Sequence, residues 1–164
     1  MAFNNNRNYS NSDRSYGGGN GNNKNGTSTE LFNQYVPITE DNYVDQAEKA
    51  INCVGKHVDK RGNPVILTTS KIRNILSLNA ELYNDIINEP NEQLSMEFKG
   101  RINYLKVRII YEAGREESVK YFIDESFLLK VIDSIKGSRN QYMLFSRYLE
   151  ALVAYRKFKY GKDE

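Results

Sequence analysis

From Val44 to Val153 the apolar residues of this 164-residue chain recur at intervals of three and four, and no stretch alternates convincingly with period two. A period near 3.6 gathers such residues on one side of an α-helix, so the folded part is expected to be helical and to bury one face of each helix. Val44, Ala47, Ile51, Val54 and Val58 make the inner face of a first helix over residues 40–58, entered after Pro37 and weakened near its end by Gly55. Arg61-Gly62-Asn63-Pro64 is a turn signal, and Val65-Ile66-Leu67 can form a short extended piece. A second helix follows, with Thr68, Thr69 or Ser70 as its N-cap and Ile72, Ile75, Leu76, Leu82, Tyr83, Ile86 and Ile87 facing inward, until Pro90 ends it.

Ser95 can cap a third helix, which runs to about Ala113 and stops at Gly114. A fourth, over residues 116–136, carries Val119, Phe122, Ile123, Phe127, Val131, Ile132 and Ile135, with a break near Ser126 allowed and Gly137 closing it. Ser138-Arg139-Asn140-Gln141 has the form of a capping box, in which serine and glutamine satisfy each other's backbone donors. It opens a fifth helix, through Tyr155 or Phe158, with Phe145, Leu149, Leu152 and Val153 inward. Five helices joined by short connections give an all-α fold, a compact bundle of about five helices.

The third helix carries two lines of residues. Phe98, Ile102, Leu105 and Ile109 suit a core. Arg101, Tyr104, Arg108, Tyr111 and Arg115 follow the same three-and-four spacing on another face. Guanidinium forks match phosphate geometry and flat rings stack on bases or ribose, so this face points to nucleic acid. A solvated surface with half-buried tyrosines has the same pattern.

Residues 1–36 read as a separate tail. Up to Thr29 they are dominated by Asn, Gly and Ser, a composition that cannot bury enough apolar surface to offset chain entropy, so the tail is expected to be disordered. It resembles neither a secretory signal nor a transit peptide. Residues 37–164 form the one helical domain. The formal charge of +2 belongs to the tail, where Arg7, Arg14 and Lys24 face only Asp13, so any electrostatic function of the domain rests on segregation of charge. Glu81, Asp85, Glu89, Glu92 and Glu97 form an acidic stretch without a basic residue. Lys136, Arg139, Arg147, Arg156, Lys157, Lys159 and Lys162 dominate the C-terminal part.

Catalytic chemistry is hard to assemble. His57 is the only histidine and Cys53 the only cysteine; four apart, they can share a helical face but are too few for zinc. Glu116-Glu117 and Asp124-Glu125 are neighbours in sequence, do not face each other on a helix, and read as surface charges. Gly17-Gly18-Gly19 lies in the tail and lacks the strand and Gly-Lys-Ser/Thr of a phosphate loop. No catalytic residue, metal site or cofactor is expected. A lone thiol fits a reducing cytoplasm, and no apolar run reaches membrane-spanning length.

Three blocks carry a family resemblance. They are Leu67-Thr68-Thr69-Ser70-Lys71-Ile72-Arg73-Asn74-Ile75-Leu76, then Tyr104-Leu105-Lys106-Val107-Arg108 with Tyr111-Glu112-Ala113-Gly114-Arg115-Glu116, then Arg147-Tyr148-Leu149-Glu150-Ala151-Leu152-Val153-Ala154-Tyr155. In this order and spacing the chain resembles the small subunit of type III-A CRISPR effectors, the Csm complex, over about residues 40–163. The resemblance implies a helical, non-catalytic subunit, several copies of which stack beside the backbone subunits, near the large subunit, and contact guide RNA and target RNA. Specificity then belongs to base pairing, and the protein needs only backbone geometry and charge.

On that reading Lys71 and Arg73, at the start of the second helix, favour a phosphate together with the free backbone N–H groups. Arg101, Arg108 and Arg115 grip successive phosphates, while Lys120, Arg147 and Lys157 are further candidates. Arg115 can equally serve a structural ion pair, and Tyr104 and Tyr111 can be core-edge residues. A rival reading is a free-standing helical adaptor that binds a protein partner. A small RNA-modifying enzyme would have to depend on His57.

Overall fold

The structure is a computed structural model that describes residues 31–161. Of the tail expected over residues 1–36, residues 1–30 lie outside the described residues, as does Lys162, and residues 31–36 are described. The fold is all-α, with six helices among the described residues: α1 Tyr43–Val54, α2 Thr69–Ile86, α3 Met96–Arg115, α4 Glu117–Glu125, α5 Leu128–Ser134 and α6 Arg139–Tyr160. The helix expected over residues 116–136 is two, divided at Ser126 and Phe127, where the sequence allows a break near Ser126. Phe127 adopts the left-handed conformation with φ 51°, which stops α4 and re-aims the apolar face of α5. Breaking the helix frees carbonyls, and the buried Tyr148 hydroxyl donates to the Ser126 carbonyl at 3.0 Å.

The first helix is shorter than the apolar repeat suggests. It ends at Val54, and Val44 and Val58 are exposed. At Gly55 the chain closes on α6: a Cβ there would lie 1.8 Å from the Tyr160 hydroxyl, so a larger residue would have to displace that ring. Val58 instead pairs across the turn with Pro64, and the Val65 N–H donates to the His57 carbonyl at 2.9 Å, so the extended piece is a single bridge.

Caps follow the sequence in part. Ser95 Oγ accepts from the Phe98 N–H at 3.3 Å. Ser138 Oγ accepts from the Gln141 N–H at 3.1 Å, but the return bond of a capping box is not made, because the Ser138 N–H donates to the Ile135 carbonyl at 2.8 Å. Gly114 lies inside α3, which continues one residue to Arg115. Gly137 has φ 78°, and its carbonyl accepts from the Leu94 N–H at 2.8 Å, joining the α2–α3 loop to the α5–α6 turn.

Contacts fix the directions of the packed helices. Asp85 meets Arg101, Asn74 meets Glu112 and Lys71 meets Glu116, so α2 and α3 run antiparallel. Glu40 meets Arg147 and Glu48 meets Lys159, so α1 and α6 run parallel. The core between them is apolar: Ile51, Ile75, Leu82, Ile86, Leu105, Ile109, Phe122, Ile123, Tyr142, Phe145 and Leu152 are essentially inaccessible to water. Burying Ile102, Leu105 and Ile109 leaves the rest of α3 at the surface, and the flank beside α2 carries the arginines and tyrosines.

Candidate nucleic-acid interface

On α3, residues seven apart are separated by roughly 10 Å along the axis. Arg101, Arg108 and Arg115 are so spaced, and each meets a carboxylate. Arg101 Nη1 lies 2.7 Å from Asp85 Oδ2 on α2. Arg108 Nη2 lies 3.1 Å from Glu112 Oε1, and Arg115 Nη1 lies 3.7 Å from Glu112 Oε2, an ion pair longer than a hydrogen bond. The alternative that Arg115 serves an ion pair is therefore realised, with a partner that Arg108 shares. A guanidinium has five N–H donors, so one bond to a carboxylate leaves most of the fork free for a second anion.

Tyr111 stands between the two arginines. Its ring centroid is 5.0 Å from the Arg108 guanidinium carbon and 5.4 Å from that of Arg115, within cation–π range of both. Tyr104 and Tyr111 are each about half exposed, at 56% and 51%, so neither is a core residue. Beside Tyr104, the side chains of Asn74, Ser77, Leu78 and Arg108 line a shallow depression where α2 meets α3. Val107 and Ile110 are also half exposed on α3.

At the far end, Lys71 Nζ lies 2.9 Å from Glu116 Oε2 and 3.5 Å from Ser118 Oγ, tying the start of α2 to the start of α4. Arg73 is exposed on α2 and has no ion pair among the described residues. The structure thus brings five of the eight candidates, Lys71, Arg73, Arg101, Arg108 and Arg115, onto the α2–α3 pair. The other three are dispersed. Lys120 pairs with Asp124 one turn along α4. Arg147 Nη1 grips Glu40 at 2.9 and 2.8 Å, fastening α6 to the segment before α1. Lys157 is exposed in the last turn of α6, without an ion pair among the described residues.

The residue the sequence reading missed is Glu112. It is 3% exposed, and its Oε1 also accepts from Asn74 Nδ2 at 3.2 Å. The signal was available, since Glu112 lies four after Arg108 and three before Arg115.

A second correction concerns Glu125 and His57. Glu125 is fully buried and not a surface charge, and its Oε1 lies 2.8 Å from Nε2 of the equally buried His57. The imidazole stacks on Tyr121 at 3.9 Å and meets the edge of Phe32 at 4.9 Å. The Phe32 N–H donates to Glu125 Oε1 at 2.9 Å, so residues 31–33 fasten over the pair. Cys53 lies beside them, its thiol 3.5 Å from the Phe32 carbonyl. Burial pushes that thiol's pKa up, Lys56 opposing and Glu125 adding to the shift. Among the described residues, no three His, Cys, Asp or Glu side chains gather as metal ligands, and no helix is long and apolar enough to cross a membrane.

Comparison with known proteins agrees with the resemblance drawn from the three sequence blocks. Residues 43–162 match the family described as Csm2 Type III-A. The chain is similar to "CRISPR system Cms protein Csm2" of Streptococcus thermophilus, 44% identical over 126 residues that cover 77% of this chain and 98% of the relative. It is 38% identical to the protein of the same name from Mycobacterium tuberculosis (strain CDC 1551 / Oshkosh), over 79% of this chain and the whole of the relative. A match of that extent, over helices α1 to α6, shows that the chain belongs to the Csm2 family, the small subunit of the type III-A CRISPR complex.

Proposed function

We propose that this subunit is a non-catalytic RNA-binding protein that lies along the guide–target duplex through the outer face of α2 and α3. Several copies stack beside the backbone subunits and near the large subunit. The observation that carries the reading is the Arg108–Tyr111–Arg115 row, two guanidiniums separated by an exposed ring on one rigid helix. Such a row contacts phosphates through its forks and offers the ring for stacking, neither of which reads a base sequence. Arg101 and Lys71 extend the row, each held by a carboxylate that neutralises part of its charge. Lys120, Arg147 and Lys157 are contacts to RNA that bends around the subunit or belongs to the next copy's site. The work is that of a soluble cytoplasmic assembly, and catalysis falls to other subunits.

A protein-binding adaptor is the second reading, favoured by the half-exposed Tyr104, Val107, Ile110 and Tyr111 on the same helix. Salt separates the two. Replacing Arg101, Arg108 and Arg115 by alanine should weaken binding to unrelated RNA duplexes alike. Each lost phosphate contact should remove about 0.7–0.9 from the log–log salt slope. Unchanged RNA affinity in a folded variant, with loss of a protein partner, would establish the adaptor instead.

A further inference from the structure

A carboxylate on a face that receives phosphate is at first sight a defect, because it competes for the arginines. Glu112 is such a carboxylate, and its surroundings argue otherwise. It is buried beneath the row at 3% exposure, between the inward Ile109 and the exposed Tyr111. Burying a charge is costly unless it is paired and hydrogen-bonded, and a well-packed apolar side chain would often be as stable. The carboxylate is nevertheless paired: Oε1 accepts from Asn74 and Arg108, and Oε2 lies 3.7 Å from Arg115 as an ion pair. Two of those three partners are the arginines that flank Tyr111, and the third anchors the carboxylate to the neighbouring helix.

We infer that Glu112 is a positioning residue for RNA: one buried carboxylate holds Arg108 and Arg115 on either side of the Tyr111 ring and so fixes the distance between two phosphate contacts. This rests on the RNA reading of the same face. A free arginine loses several rotors when it grips a phosphate, and that lost freedom opposes binding. Arginines already held by Glu112 have lost part of that freedom before RNA arrives. Arg108, Arg115 and Glu112 together carry a net charge of one positive unit, so attraction to phosphate survives.

Charge alone and positioning predict opposite signs, which makes the test decisive. Glu112→Gln raises the charge of the face by one unit. If Glu112 merely competed with phosphate, the variant would bind a fluorescently labelled RNA duplex of random sequence more tightly and with a steeper salt slope. Positioning requires the reverse: affinity of the full-length chain falls about five- to tenfold in spite of the added positive charge. The slope then becomes shallower by close to one phosphate contact. Asn74→Ala, which changes no charge, should lower affinity about two- to threefold through loss of the anchor. In an Arg108→Ala/Arg115→Ala background the Glu112→Gln change should have no further effect, because its role acts through those two residues.

Tighter or unchanged binding by Glu112→Gln overturns the inference. If that variant fails to fold, the Asn74→Ala arm decides, and wild-type affinity there overturns it. Loss of affinity on replacing both arginines, with Glu112→Gln unchanged, rejects positioning and leaves the RNA reading standing. No effect of the arginine replacements rejects the RNA reading itself.

Discussion

Oε1 of Glu125, in the last turn of α4, lies 2.8 Å from Nε2 of His57, which follows the end of α1, and both side chains are buried. The pair joins two helices to the segment before them, because the same oxygen accepts from the Phe32 N–H and the Glu125 carbonyl accepts from Asn33 Nδ2 at 3.0 Å. Neither ring nor carboxylate faces the α2–α3 row, so its role is to hold α1, α4 and the N-terminal segment together.

That arrangement predicts asymmetric mutational costs. Glu125→Ala leaves the imidazole and the Phe32 N–H without their acceptor, and removing one member of a buried pair costs about 3–5 kcal/mol. Replacing both members by apolar groups, as in His57→Phe with Glu125→Leu, should recover most of that loss. Urea denaturation of the two variants measures it. A loss for Glu125→Ala below about 1 kcal/mol would mean that the pair does not carry this junction.

The outward and inward lines of α3 were both legible, because their spacing fixes which residues share a face and the face itself does not depend on partners. His57 and Glu125 were not. They are 68 residues apart, and their pairing depends on where α4 ends and on which element then packs against that end, which a break near Ser126 does not by itself specify. A Glu next to an Asp at a helix end has the composition of a solvated charge, and only the three-dimensional approach of α1 decides otherwise. Val58 failed for a related reason: the apolar repeat ran on past Gly55, while α1 ends at Val54; Val44 lies inside α1, on its exposed face. Glu112 failed differently. Its spacing to Arg108 and Arg115 was visible, but a search for phosphate contacts looks for cations and passes over the acid that places them.

Cys53 should be slow to alkylate. Its thiol is buried and its pKa is pushed up chiefly by that burial, so the reactive thiolate is scarce at neutral pH. Iodoacetamide should modify the native chain far more slowly than the urea-unfolded chain at pH 8. A native rate equal to the unfolded one would contradict the packing of Phe32 over this residue.

Alkaline pH should destabilise the fold through Tyr142 and Tyr148. Both phenols are held well above the usual tyrosine range, first by burial, and each donates to a buried acceptor, Tyr142 to Asn79 and Tyr148 to the Ser126 carbonyl. The folded state therefore keeps the proton that the unfolded chain loses near pH 10. The contribution is complete below that pH and decays as pH rises towards the folded values, by about 1.4 kcal/mol per pH unit for each tyrosine. Urea midpoints between pH 9 and pH 11 should fall steeply. Tyr142→Phe should flatten the fall while lowering stability at pH 7, where Asn79 loses a donor.

Stacking of copies, as proposed above, needs a surface, and the acidic stretch from Glu81 to Glu97 is only partly free to provide one. Asp85 is engaged by Arg101. Glu92 is engaged more deeply: its Oε1 accepts from Ser138 Oγ at 2.5 Å and the Asn140 N–H at 3.3 Å, and its carbonyl accepts from the Arg139 N–H at 2.8 Å, so it caps α6. Charge reversal at Glu92 should therefore lower stability by about 1 kcal/mol, whatever it does to assembly. Glu97 is exposed in the first turn of α3, and Glu89 is partly exposed beyond α2, with no ion pair to either among the described residues. Exposed ion pairs are worth only about 0–1 kcal/mol each, so free subunits should associate weakly, and copies should order only where the complex raises their local concentration. Glu89→Lys with Glu97→Lys should leave the melting temperature almost unchanged and reduce the number of copies in complexes counted by native mass spectrometry. An unchanged copy number would move the stacking surface elsewhere, and Val107 and Ile110, half exposed on α3, are the apolar residues to replace next.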